Sequence, residues 1–265
     1  MGLFYRKQGT GYPIIILHGL YGSSDNWLTI AKYLSFYFQI WLLDLRNHGR
    51  SPHFPTHTYK EMSDDVYFFM KENNIVNPII IGHSMGGKVA MTIARYYPQA
   101  LSKLIIVDIA PVNYSKYNIA DVLIHEHIIY SLLNLNLNEV KQLKDADNLL
   151  SSYIKDEKLR LFLLKNLKKE KDKYHWQLNL KVLKQYLPHI IDGFEYWQDV
   201  TINIPTYFFK GEYSSYINEE FYAIINNIFK NTEIILVPNA GHWLHSENTE
   251  FFVKKVIEIT NEYSS

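Results

Sequence analysis

The sequence predicts an α/β fold: a mostly parallel sheet with helices on both faces, interrupted once by a helical insert. Two observations carry this. Short β-branched apolar runs alternate with helix-length segments as far as Pro111, and the same alternation resumes after about Val200. The runs are also apolar throughout instead of alternating with polar residues, as strands covered on both faces must be.

Taken in order, the first strands are Pro13–Leu17 (PIIIL), Gln39–Leu43 (QIWLL), Pro78–Ile81 and Lys103–Val107 (KLIIV), each too short for a stable helix. Between them Asn26–Tyr33, Tyr59–Asn73 and Ser84–Tyr97 have helix length, the last stopped by Pro98. Strand and helix in strict alternation give parallel strands joined by crossovers. From Val112 to Val200 the pattern lapses into helical, charged and Leu-rich stretches such as Lys155–Lys171, without a convincing strand. Strand Pro205–Phe209, helix Asn218–Phe229, strand Glu233–Val237 and helix Thr249–Ile259 then complete the sheet. The expected division is a core of residues 1–111 and 201–265, with residues 112–200 as the insert.

Bulk properties narrow the function. Lys+Arg and Asp+Glu both total 27, so the net charge is zero and no general field draws nucleic acid. The absence of cysteine excludes a thiol nucleophile and thiolate metal ligands, and suits a reducing compartment. The start, Met1 to Lys7, lacks the features of a signal peptide, and Arg6 occupies the Ser/Thr position of a myristoylation motif. No stretch approaches the ~18 apolar residues of a membrane span. A soluble, cytoplasmic protein is expected. No metal site is expected either, since His125-Glu126-His127 cannot place both imidazoles on one helical face.

The most informative stretch is Ile79 to Lys88, IIIGHSMGGK. Gly82-His83-Ser84-Met85-Gly86 fits G-x-S-x-G, with a strand before it and a helix after it, and that context carries more weight than the five letters. A sharp strand-to-helix turn strains the serine backbone and needs neighbours without side chains. The helix then points its positive end at charge developing on a substrate. The alternative is a Gly-rich turn whose serine merely caps the helix. A serine nucleophile needs two N–H donors for an oxyanion. Met85, directly after Ser84, supplies one. Leu20, in the His18-Gly19-Leu20-Tyr21-Gly22 turn after the first parallel strand, is the natural second.

Eleven histidines compete to be the base. His53 and His57 sit in a Pro-containing loop, His125, His127, His175 and His189 in the insert, and His83 within the turn itself. His242 follows the last strand and Gly241, where this architecture puts its base; His245 is expected to pack nearby. The acid is less direct. After Pro205–Phe209 the chain reads Lys210-Gly211-Glu212-Tyr213-Ser214, with a serine where a carboxylate is usual. Asp108, at the end of Lys103–Val107 beside the nucleophile strand, is the preferred acid. Glu212 is the fallback.

With these residues identified, the chain resembles the α/β-hydrolase superfamily over nearly its whole length. The blocks LHGLYGSSDNW, DLRNHGRSPH, GHSMGGKVAM, VDIAPVNY and VPNAGHWLHSENTEFF resemble its YbfF-type esterase branch and the eukaryotic relatives of that branch. The resemblance implies an eight-stranded sheet whose first strand is antiparallel and starts within Leu3–Gln8, and makes the insert a helical cap over the site. It also implies an acid after the strand that follows the nucleophile helix, here Asp108. Asp44 to Ser51 resembles a block that braces the loop under the site. Glu212 replaces a glycine of the branch, which adds a carboxylate near the pocket.

The expected reaction is two-step acyl transfer to water through a Ser84 acyl-enzyme, with His242 as base and Asp108 as its partner. No cofactor is required. Aromatic residues of the insert, among them Tyr114, Tyr117, Tyr130, Phe162, Trp176 and Trp197, suit either core packing or an apolar acyl pocket. The resemblance implies a carboxylic ester of short or medium acyl length as small-molecule substrate, with an acyl-CoA thioester as the variant. C–C bond hydrolysis, a lyase step or acyl transfer on the same scaffold, and a non-catalytic binder, are the alternatives.

Overall fold

The strands form because each presents apolar side chains to two cores at once. In the computed structural model, which describes residues 2–117, 119–194, 197 and 199–261, Ile14, Ile16, Ile79, Ile81, Ile105 and Val107 face one core. Ile15, Leu17, Ile80, Leu104 and Ile106 face the other. Successive side chains alternate across a strand, so an unbroken apolar run is what two covered faces require.

The sheet has the order β1-β3-β2-β4-β5-β8-β9. Its parallel strands are β2 (Pro13–Leu17), β3 (Gln39–Leu43), β4 (Ile79–His83), β5 (Lys103–Val107), β8 (Thr206–Gly211) and β9 (Thr232–Val237). β1 (Tyr5–Gln8) runs antiparallel to β3 at the edge. The described sheet therefore has seven strands and not the expected eight: ahead of β2 only Tyr5–Gln8 pairs, and that run takes the edge beside β3.

Helix α1 (Leu28–Leu34) and the last helix, Thr249–Ile259, pack in the core of Trp27, Phe38 and Phe252. Helices α2 (Tyr59–Glu72) and α3 (Met85–Tyr96) cover the opposite face. α2 starts on Thr58, whose side chain accepts the Glu61 N–H while Glu61 reaches back to the Thr58 amide.

Between β5 and β8, which are adjacent in the sheet, the chain leaves it entirely. This segment holds α4 (Ile119–Asn134), α5 (Leu143–Leu150), α6 (Glu157–Leu164) and α7 (Leu180–Ile191). It also holds a hairpin that the sequence reading missed, β6 (Leu167–Glu170) with β7 (Lys173–Trp176), where a helix continuing to Lys171 was expected. In β6 charged residues on both faces hide the period of two, the alternation of β7 spans only four residues, and Lys171, at φ 53°, closes the turn. Among the described residues no helix is long and apolar enough to cross a membrane.

Candidate active site

Ser84 stands at the C-terminal end of β4, immediately before α3, with φ 51° and ψ −118°. A β-carbon at Gly82 would collide with the Gly86 carbonyl, and one at Gly86 with the Leu17 carbonyl, so only glycine fits either side of this turn. The Ser84 amide donates to the Val107 carbonyl at 3.0 Å, which fastens the strained turn to β5. Being first in α3, Met85 has no acceptor for its N–H within the helix.

The loop after β2 comes close to this turn. A β-carbon at Gly19 would stand 3.2 Å from the Ser84 β-carbon. Leu20 and Met85 line one recess with Ser84. The Leu20 loop is held by groups that the sequence reading left unassigned. The Tyr21 amide donates to His48 Nε2 at 3.3 Å, and Asn166, in the insert, donates to the Tyr21 carbonyl at 2.7 Å. Beneath it the Leu45 amide donates to His18 Nε2 at 3.0 Å. The Asp44 carboxylate accepts the Ser24 and Arg50 amides, and Arg46 grips Asp65 with two nitrogens at 2.6 and 2.8 Å. The Asp44 to Ser51 block thus braces the loop from below.

His242 follows β9 and Asp108 follows β5, and the structure brings them together: His242 Nδ1 donates to Asp108 Oδ2 at 2.7 Å. Asp108 is fully buried, with φ 52°, and its Oδ1 accepts the Gly211 amide at 3.0 Å. The Ser214 hydroxyl donates to Oδ2 as well. The serine at the usual acid position is therefore a hydrogen-bond partner of Asp108. Glu212 is engaged elsewhere. Its carboxylate accepts the Asn239 amide at 2.7 Å. Tyr216 stacks on the His242 ring with centroids 4.0 Å apart.

Other histidines serve the frame. His83 Nε2 donates to the His242 carbonyl at 2.8 Å, and His245 stacks on Trp27 at 4.0 Å. Burial lowers the pKa of His18, His48 and His83, and takes His57 and His245 down to about 3. These rings are neutral near pH 7.

Two cavities meet at Ser84. The outer one, about 880 Å³, is lined by His242, Trp243, Tyr213, Phe162, Lys158 and Lys165 among others. The inner recess, about 40 Å³, is walled by Leu20, Ile109, Ile190 and Ile191 and reaches Lys88, Tyr59 and Tyr114. Leu20, Ser84, His125 and Tyr216 belong to both. Lys88 is fully buried and donates to the Ile191 and Asp192 carbonyls, each at 2.6 Å, thereby pinning the end of α7 to α3. Burial lowers its pKa to about 7. Of the aromatic residues expected around a pocket, Tyr114 and Phe162 line these cavities. Tyr117 and Tyr130 are exposed, whereas Trp197 is buried in the core, stacked on Phe194.

A family model described as the alpha/beta hydrolase fold matches residues 12–249. The chain is 34% identical over 261 residues to the sn-1-specific diacylglycerol lipase ABHD11 of Danio rerio, an alignment covering 94% of this chain and 78% of that protein. It is 28% identical over 258 residues to Esterase YbfF of Escherichia coli K12, covering 97% and 96%. A solved marine microorganism esterase superposes with a TM-score of 0.93 at 41% identity, covering 97% of this chain and 99% of that one.

Proposed function

This chain belongs to the α/β-hydrolase fold family, and on that premise we propose that it is a serine hydrolase of carboxylic esters. Ser84 is its nucleophile, His242 its base and Asp108 the acid. The observation that carries the reading is the buried Asp108 carboxylate on His242 Nδ1 at 2.7 Å, with His242 and Ser84 in one cavity. A carboxylate there fixes the imidazole tautomer and stabilises the imidazolium formed during the reaction.

In the first step Ser84 Oγ attacks the ester carbonyl carbon while His242 Nε2 takes its proton. The carbonyl oxygen becomes an oxyanion held by the Leu20 and Met85 amides, with the N-terminal end of α3 behind it. His242 then protonates the leaving oxygen as the carbon–oxygen bond breaks, which leaves the acyl group on Ser84. Water, deprotonated by His242, repeats the attack and releases the acid.

The leaving group has to be protonated by His242, so it occupies the outer cavity, and the acyl group enters the inner recess. A recess of about 40 Å³ has room for about three waters, which suits an acyl chain of a few carbons. A thioester with the same short acyl group fits the same geometry. Residues 112–200 act as the cap over both cavities. A cytoplasmic location agrees with the lack of cysteine.

The test is a fluorophosphonate probe followed by p-nitrophenyl and CoA esters of graded acyl length. Ser84-dependent labelling and turnover of short acyl esters support the reading. Labelling elsewhere, or turnover that survives Ser84→Ala, overturns it.

A further inference from the structure

The insert contributes one polar side chain to the junction of the two cavities that the acyl-transfer steps do not use. His125, on α4, lines both the inner recess and the outer cavity together with Ser84. Its Nδ1 is buried without a hydrogen-bond partner. Its nearest aromatic contact is the Tyr21 ring at 5.9 Å, and Tyr21 Oη bonds the His125 backbone carbonyl and not the imidazole. Other polar groups of the recess are engaged by protein: Lys88 by two carbonyls, Tyr59 Oη by the Ile190 carbonyl, and Tyr114 Oη by the Ala110 amide and the Tyr216 carbonyl. Unpaired buried nitrogens are uncommon in folded proteins and mark positions where a partner is missing. A wall residue of a substrate cavity can receive that partner from the substrate.

Resting on the serine-esterase reading, we infer that His125 is a specificity-determining residue that binds an uncharged hydroxyl on the leaving alcohol, carried on the second or third carbon beyond the ester oxygen. The preferred substrates are then esters of a partly acylated polyol, such as a glycol or glycerol.

Three points fix this chemistry. The ring is neutral near pH 7, because burial holds its pKa down at about 4 and the nearby His242 charge adds to the effect. A neutral imidazole both donates and accepts, as a hydroxyl does, whereas a carboxylate or phosphate calls for a cation. His125 shares the outer cavity with His242, which protonates the leaving oxygen, so the alcohol passes it. A site with a buried polar group awaiting a hydroxyl discriminates strongly against the analogue that lacks one.

The experiment compares 2-hydroxyethyl butyrate with propyl butyrate, which replaces the hydroxyl by a methyl group. The expected ratio of their kcat/KM values is about tenfold or more in the wild-type protein. It should fall to near one in His125→Phe and recover in His125→Gln, which keeps a donor and an acceptor. His125→Leu serves if the larger ring disturbs α4. Each ratio is read within one preparation, so partial misfolding cancels. A wild-type ratio near one, or a ratio unchanged in the His125→Phe and His125→Leu variants, overturns the inference while leaving the esterase reading intact. Turnover of both esters that survives Ser84→Ala overturns both.

Discussion

Ser214 donates its hydroxyl to the same Asp108 oxygen that accepts the imidazole proton of His242. One carboxylate oxygen thus has two donors from two different strand ends, while Gly211 holds the other oxygen. Asp108→Asn should lower kcat by about 10³–10⁴-fold, since an amide no longer selects the required tautomer. Ser214→Ala removes one hydrogen bond to a charged group and should cost about tenfold. Glu212 bonds the Asn239 amide and not the imidazole, so Glu212→Gln should stay within about twofold. Steady-state kinetics on p-nitrophenyl butyrate separates the three, and a larger loss in Glu212→Gln than in Asp108→Asn would reverse the acid assignment.

Ser84→Ala and His242→Ala should each abolish at least about 10³-fold of turnover, because the two groups act as one unit. The double variant should be little worse than either alone. Additive losses in the double variant would show that the hydroxyl and the imidazole work independently.

Ile191 separates the inner recess from a neighbouring cavity of about 380 Å³ between α4 and α7. Ile191→Ala should join them and move the preferred acyl chain several carbons longer, with a stability loss of about 2–4 kcal/mol. Relative kcat/KM from p-nitrophenyl acetate to decanoate reads the shift. An unchanged chain-length profile in a folded variant would place the acyl group elsewhere.

Stability should fall in mild acid. His57 and His245 titrate at about 3 and His125 at about 4 in the folded protein, and His18, His48 and His83 are lowered too. The unfolded chain takes up these protons near pH 6.5. Below that pH the unfolded state binds more protons, so the contribution is complete above 6.5 and is lost as pH falls towards 3–4. Calorimetry should show the midpoint dropping steeply between pH 6 and 4, and His57→Gln should flatten the slope. A midpoint constant over that range would contradict the buried neutral rings.

The nucleophile turn was legible because its demands are local: an apolar strand, two glycines and a helix within a dozen residues. Asp108 and His242 were legible because each ends or follows a recognisable strand. The β6–β7 hairpin was not: Lys and Glu on both faces of β6 carry no period of two, and the alternation of β7 spans only four residues. Ser214 was read only as a missing acid. Its hydrogen bond depends on how the loop after β8 folds over Asp108, which strand pattern does not specify.

His125 and Lys88 mark the limit of such reading. In sequence, one is a histidine in a mostly apolar helix of the insert and the other the single lysine of the helix after Ser84. Folding makes one a wall of the cavity at Ser84 and the other a buried pin on the end of α7. The amino-acid order alone determined the layered sheet and which residues stand at its C-terminal edge, because burial on two faces and a glycine-flanked turn leave a short-range imprint. Only the tertiary structure decided how the insert meets that edge. That contact joins positions far apart in the chain, and its hydrogen bonds and packing impose no repeating pattern on either partner.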